Sequence, residues 1–140
     1  FFTEKRIEFF VNEREAFKTI MLTPLINFVM VWNQGISFGL LDTNSPNMPL
    51  VFIASSLMIS LLMVIWLCLT SQKIVAVPLG LVIGGALANT IDRVRFGAVA
   101  DFIDVHIGPY HWPAFNIADS CIVAGACVLM LTSMIEPKRE

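Results

Sequence analysis

The chain has 140 residues, 56% hydrophobic and only 14% charged, with a mean hydropathy of +0.76. That is too apolar for an ordinary water-soluble domain and points to a bilayer as solvent. Nine basic residues against 11 acidic ones give a formal charge of -2, which excludes the basic surface that nucleic-acid binding requires; the three cysteines, Cys68, Cys121 and Cys127, lie in apolar runs and read as small hydrophobes, not as a disulfide framework.

The opening Phe1-Phe2-Thr3-Glu4-Lys5-Arg6 has neither the basic nor the apolar region of a cleavable signal. Residues 1 to 18 interleave Phe1, Phe2, Ile7, Phe9, Phe10, Val11 and Phe17 with charges of both signs, a pattern expected of an interfacial amphipathic segment that does not span. Thr19 to Leu41 is uncharged, but Pro24, Asn27, Asn33, Gln34, Gly35 and Gly39 punctuate it, and Phe28 to Trp32 is β-branched and aromatic. Extended structure at the membrane surface is therefore expected there. A span needs about 20 mostly apolar residues. Pro49 to Leu69 meets that without a charge, and Ile74 to Ile91 follows after the polar link Thr70-Ser71-Gln72-Lys73. The two should form an antiparallel helix hairpin. Ala114 to Ile135 makes a third span, interrupted by Asp119. Basic residues at the span ends favour the side of Lys73, Lys138 and Arg139 over that of Arg93 and Arg95; this places the hairpin turn and C-terminus in the cytoplasm and Asp92 to Pro113 on the outer face. The whole reads as a single all-α transmembrane helix bundle with one surface β segment.

Within the second span, Ala76, Gly80, Gly84 and Ala88 recur every four residues, a stripe suited to close helix packing. A neighbouring stripe, Gly85, Asn89 and Arg93, turns polar toward the outer end. It points toward the acids. An ionisable group at the centre of a span costs about 2.5 to 3.5 kcal/mol, so Asp119 needs a reason. Asn116 lies one turn before it on the same helix face, and the preceding segment adds Asp101 and Asp104. Two carboxylates sharing a site cannot both ionise; one keeps a proton while the other takes one from water, which suffices to hydrolyse a peptide.

Four motifs in series carry a resemblance: Trp32-Asn33-Gln34-Gly35-Ile36-Ser37-Phe38; Gly84-Gly85-Ala86-Leu87-Ala88-Asn89-Thr90-Ile91-Asp92-Arg93; Val99-Ala100-Asp101-Phe102-Ile103; and Phe115-Asn116-Ile117-Ala118-Asp119-Ser120. In order and spacing they resemble the motifs of lipoprotein signal peptidase, or signal peptidase II, over residues 22 to 135. The resemblance implies a globomycin-sensitive aspartic endopeptidase of the bacterial inner membrane, its active site near the periplasmic face, which cuts prolipoproteins before the diacylglyceryl-cysteine. It implies Asp101 and Asp119 as the catalytic pair, and Asn33, Gly35, Asn89, Arg93 and Asn116 as residues that hold substrate or support the site. Its partners would be the lipid-modified prolipoprotein and membrane lipid, acting on a monomer without metal or other cofactor. Thr19 to Leu41 would be the family's extracytoplasmic β-cradle, followed in the chain by the spans and a periplasmic loop. Two departures stand out: Ala88 occupies a position usually held by Gly, and the family's first of four helices, with its Asp-Gln-x-x-Lys-like motif, has no counterpart. The chain is expected to be a fragment lacking that helix.

Two other readings compete. Asp101, Asp104, His106, His111 and Asp119 are hard and borderline metal ligands close in sequence, a reading that predicts loss of activity on chelation. His106 and His111 match no catalytic position of the family, and beside Tyr110 and Trp112 they suit an interfacial belt. A non-enzymatic transporter or assembly subunit would use its acids as an ion path and would predict that Asp101→Asn spares cleavage.

Overall fold

The computed structural model describes residues 7–12, 15–33 and 47–135. Strands β1 (Ile7–Asn12), β2 (Glu15–Met21) and β3 (Ile26–Asn33) come first, then helices α1 (Met48–Leu69) and α2 (Lys73–Phe96), strands β4 (Val99–Ile107) and β5 (Tyr110–His111), and helix α3 (Ile117–Ile135). All three helices are long and apolar enough to cross a membrane.

Each helix boundary has a local cause. In α1, Pro49 sits in the first turn, where its missing N–H costs nothing, and the helix ends as Thr70 turns extended with its N–H on the Trp66 carbonyl. The second helix runs beyond the apolar stretch ending at Ile91 and includes Asp92, Arg93 and Arg95. Charge ends a bilayer span but does not end a helix. Arg93 and Arg95 suit the carbonyl end of the helix dipole, and the stop is Gly97, at φ 70°, with its N–H on the Arg93 carbonyl. The third helix starts at Ile117, later than the apolar run at Ala114, because Phe115 is taken by a bridge to Ile103.

The sheet is antiparallel throughout, in the order β1-β2-β3-β4-β5. It is larger than one surface segment. Residues 7–18, which composition assigned to an interfacial segment, join the start of the expected extended stretch in a hairpin registered from Ile7 opposite Ile20 to Asn12 opposite Glu15. Ile7, Phe9 and Val11 at every second position, with Glu8 and Asn12 on the other face and Phe10 breaking the alternation, are the sequence trace of that strand. The strand after α2 was read only as a loop carrying acids. Its partner β3 is remote in sequence, and a bulge between Phe28 and Val31 resets the register before Val31 meets Asp101.

Among the described residues, the buried apolar side chains are Leu79, Val82, Ala98 and Val99, whereas Asn27, Ser60, Asn89, Thr90, Asp101, Asp104 and Asn116 are buried polar ones. Lipid supplies apolar contact to the outside of such a bundle, so small and polar residues remain for its seams. Between α1 and α2, Thr90 Oγ1 lies 2.8 Å from both Ser56 Oγ and the Ala86 carbonyl. Between α2 and α3 the backbones meet at Gly85 and Gly125: a Cβ on Gly85 would stand 2.5 Å from the Ala118 carbonyl oxygen, and one on Gly125 2.6 Å from that of Pro78. This corrects the packing stripe. Among the described residues nothing lies within 4 Å of a Cβ built on Gly80 or Gly84; the neighbouring stripe, starting at Gly85, faces α3.

Candidate active site

Asp101 and Asp119 reach one place from opposite directions. Asp101 lies on β4 and is 2% exposed; Asp119 stands in the first turn of α3. The start of α3 fixes Asp119 through a reciprocal cap. The Asn116 side-chain oxygen accepts the Asp119 N–H at 2.9 Å, and Asp119 Oδ2 accepts the Asn116 N–H at 3.2 Å, which is a capping box built from Asn and Asp. Asn116 Nδ2 then donates to Asp101 Oδ1 at 3.2 Å, to Asn89 Oδ1 at 3.0 Å and to the Ala100 carbonyl at 3.3 Å. Asn89 Nδ2 donates to Asp119 Oδ1 at 2.9 Å. Both acids thus hang on two buried amides, Asn89 from α2 and Asn116 from the α3 cap, and the close approach at Gly85 keeps those helices in register.

Asn33, at the end of β3, hydrogen-bonds Asp101. Arg93 lies with its guanidinium over the Phe52 ring, 5.2 Å from the centroid, and acts on Asp101 through space. Burial pushes the Asp101 carboxyl up from 3.8 to about 6. The Asn33 hydrogen bond opposes the rise, the charge of Asp119 adds to it, and Arg93 and Asn116 oppose it.

A cavity of about 610 Å³ opens over the pair. Asn33, Asp101, Asp119 and Ser120 supply polar lining; Trp112, Phe115, Val123 and Ala124 supply apolar lining. Of the residues singled out from sequence, Asn33, Asn89, Arg93, Asp101, Asn116 and Asp119 are brought together, and Gly35 lies outside the described residues, as does Phe38. Trp32 packs against Phe96, rings 5.2 Å apart. Ser120, Phe115 and Val123 were missed as lining. Val123 sits one helical turn after Asp119, so helix period was the available signal; Phe115 and Ser120 stand at the two ends of the fourth motif, which was the signal for them. His106, His111 and Asp104 gather elsewhere, and among the described residues theirs is the one cluster of three potential metal donors.

A model of the signal peptidase (SPase) II family matches residues 4–135. The chain belongs to the signal peptidase II family. The lipoprotein signal peptidase of Methylorubrum extorquens is 42% identical over 113 residues, covering 81% of this chain and 66% of that protein. That of Beijerinckia indica is 43% identical over 121 residues, covering 86% and 72%, and that of Coxiella burnetii 38% over 123 residues, covering 86% and 76%. The chain thus spans about two thirds to three quarters of the length of these relatives. Two solved structures, each described as a bacterial membrane enzyme, superpose with a TM-score of 0.72: one is 28% identical and covers 87% of this chain and 76% of its own, the other 29% identical, covering 85% and 76%. The four motifs that carried the resemblance in sequence therefore lie inside a family match over nearly the whole chain, and the signal peptidase II fold here is three apolar helices beside an antiparallel sheet.

Proposed function

We propose that this chain acts as a membrane aspartic endopeptidase that removes signal peptides from lipid-modified prolipoproteins, cutting before the diacylglyceryl-cysteine. The observation that carries the proposal is the cavity, whose lining combines Asp101 and Asp119 with the apolar side chains of Trp112, Phe115, Val123 and Ala124. An extended peptide lies between Asn33 and α3, its scissile bond at the two acids. Asp119, both of whose oxygens accept hydrogen bonds from nitrogen donors, takes a proton from water as the oxygen attacks the scissile carbonyl carbon. Asp101, whose raised affinity for a proton suits it to donate, hydrogen-bonds the carbonyl oxygen. The tetrahedral adduct collapses as the leaving amine takes a proton from the dyad, and the acid and amine products restore the starting protonation. Asn89, Asn116 and Arg93 hold the acids in place. Lipid burial along the apolar wall supplies binding energy that positions the bond. The site faces the periplasmic side of the bacterial inner membrane, and the enzyme works as a monomer.

The deciding assay incubates the full-length protein with a diacylglyceryl-modified prolipoprotein peptide. Asp101→Asn and Asp119→Asn are each expected to lose at least about 10²- to 10⁴-fold in kcat, the usual worth of general acid-base catalysis, while still inserting. Chelation is expected to leave wild-type cleavage intact. Activity surviving in either variant would overturn the dyad, and loss on chelation would return the reaction to a metal.

A further inference from the structure

The strands carry a second cluster of donors. Asp104 and His106 are two apart on β4 and so share one face, whereas alternation turns Asp101 to the other. Asn27 on β3 pairs with Asp104 in register. The chain then turns through Gly108, at φ 56°, and brings His111 opposite His106. Register alone therefore sets these four side chains as two adjacent cross-strand pairs.

The side chains meet as that pattern requires. His111 Nδ1 is 3.0 Å from both oxygens of Asp104, and His106 Nδ1 is 4.0 Å from Asp104 Oδ2. One donor atom from each of the three residues fits within 4.8 Å, and the two imidazoles stack with centroids 4.9 Å apart. Ligands held about 2.0 to 2.1 Å from a tetrahedral zinc ion lie roughly 3.3 Å from one another, so the separations bracket what one ion needs and small side-chain rotations close the rest. Asn27 supplies an independent sign. It is 6% exposed; its Nδ2 donates to Asp104 Oδ2 at 3.0 Å and lies 3.3 Å from His106 Nδ1, while its Oδ1 is buried without a hydrogen-bond partner among the described residues. Buried carbonyl oxygens rarely go unpaired. Exchanging the two ends of the amide turns that oxygen toward the same donors as a fourth ligand.

We infer that Asp104, His106 and His111, with Asn27 beneath them, bind one divalent transition-metal ion of the zinc class on the sheet, apart from the catalytic dyad. Two imidazoles, a carboxylate and an amide oxygen suit Zn²⁺ or Co²⁺ and disfavour the all-oxygen shells of Mg²⁺ and Ca²⁺. His111 is half exposed and gives the ion a way in. A bound ion ties β5 to β4 and β3 and so steadies Trp112, the next residue, whose N–H donates to the Val105 carbonyl at 2.8 Å and whose side chain lines the catalytic cavity. The inference does not depend on how Asp101 and Asp119 divide the chemistry.

The test uses full-length protein in detergent, stripped with chelator and titrated with Co²⁺ and then Zn²⁺. One Co²⁺ per chain is expected, with visible absorption of a four-coordinate nitrogen and oxygen site that Zn²⁺ displaces, and a melting temperature that rises with Zn²⁺ concentration. His106→Ala and His111→Ala should each abolish the absorption. Asn27→Ala should weaken binding about 10- to 100-fold, as loss of a supporting or weak ligand does. Cleavage by the histidine variants in metal-free buffer, close to that of wild type, shows that they fold. No saturable binding by wild type, or equal binding by the His106→Ala, His111→Ala double variant, overturns the site.

Discussion

Asp101 is held where its charge is costly. Its carboxyl binds a proton more tightly in the folded protein, at about 6, than in the unfolded chain, at 3.8, chiefly because it is buried. Any stability from this group is therefore complete below 3.8 and lost as pH rises through 6. An amide there escapes that loss: Asp101→Asn should melt higher than wild type at pH 8, with the gap closing toward pH 4, even as cleavage disappears. A melting temperature unchanged at pH 8 would mean that the carboxylate carries no strain. In the proposed mechanism the same proton sets the rate. If the working dyad is singly protonated, free enzyme loses its active form as Asp101 ionises, so kcat/KM should fall by about tenfold per pH unit above 6. Substrate that drives water from the cavity raises the proton affinity further, and the corresponding break in kcat should move to higher pH. A kcat/KM that is flat between pH 5 and 8 would refute this division of roles. Asn116 and Asp119 could be read together in the sequence from their three-residue spacing, taken there as one helix face and found to be a cap, with Asn116 just ahead of α3. The meeting of Asp119 with Asp101 could not, since it depends on where β4 pairs.

Helix α2 shows how far a repeat of small residues can be read. Its four-residue period was visible, but two adjacent stripes shared it, and period alone does not say which one faces a neighbour. The answer is Gly85, whose missing Cβ leaves room for the Ala118 carbonyl oxygen. Gly85→Ala should therefore push α3 outward beside Asp119, lowering both melting temperature and kcat. Gly84→Ala meets nothing within 4 Å among the described residues and should stabilise the helix by about 0.5 to 1 kcal/mol, the usual gain over glycine. Equal effects from the two substitutions would show that the α2 and α3 contact is looser than its geometry. The sheet was harder to read. The aromatic and β-branched run of β3 marked a strand by itself; β4 carries two aspartates and a histidine, and its extended form comes from pairing with a strand far away in the chain.

Hydropathy located the apolar helices because a bilayer demands length and little else, yet it is silent about which apolar surface serves a substrate and which merely meets lipid. The cavity separates the two. Its apolar lining includes Val123, 61% exposed on α3, and the helix continues with Met130 and Met134, 65% and 78% exposed. Apolar surface thus runs from Val123 down the outside of a helix able to span the membrane; for the proposed substrate it is a path on which acyl chains remain in hydrocarbon while the peptide reaches Asp101 and Asp119. Each buried methylene is worth about 0.8 kcal/mol. For the proposed lipid-modified substrate only part of that gain is new, since its chains already lie in lipid, so the use of the gain is to deliver the cysteine at a fixed depth and raise local concentration. A prolipoprotein peptide without the diacylglyceryl group should then lose at least about 10²-fold in kcat/KM, a small share of the effect that positioning can supply. Val123→Asp should slow the lipid-bearing peptide far more than the bare one, because the new carboxylate disturbs the path and not the acids. Equal slowing of both peptides would place the fault at the dyad and remove α3 as the lipid path.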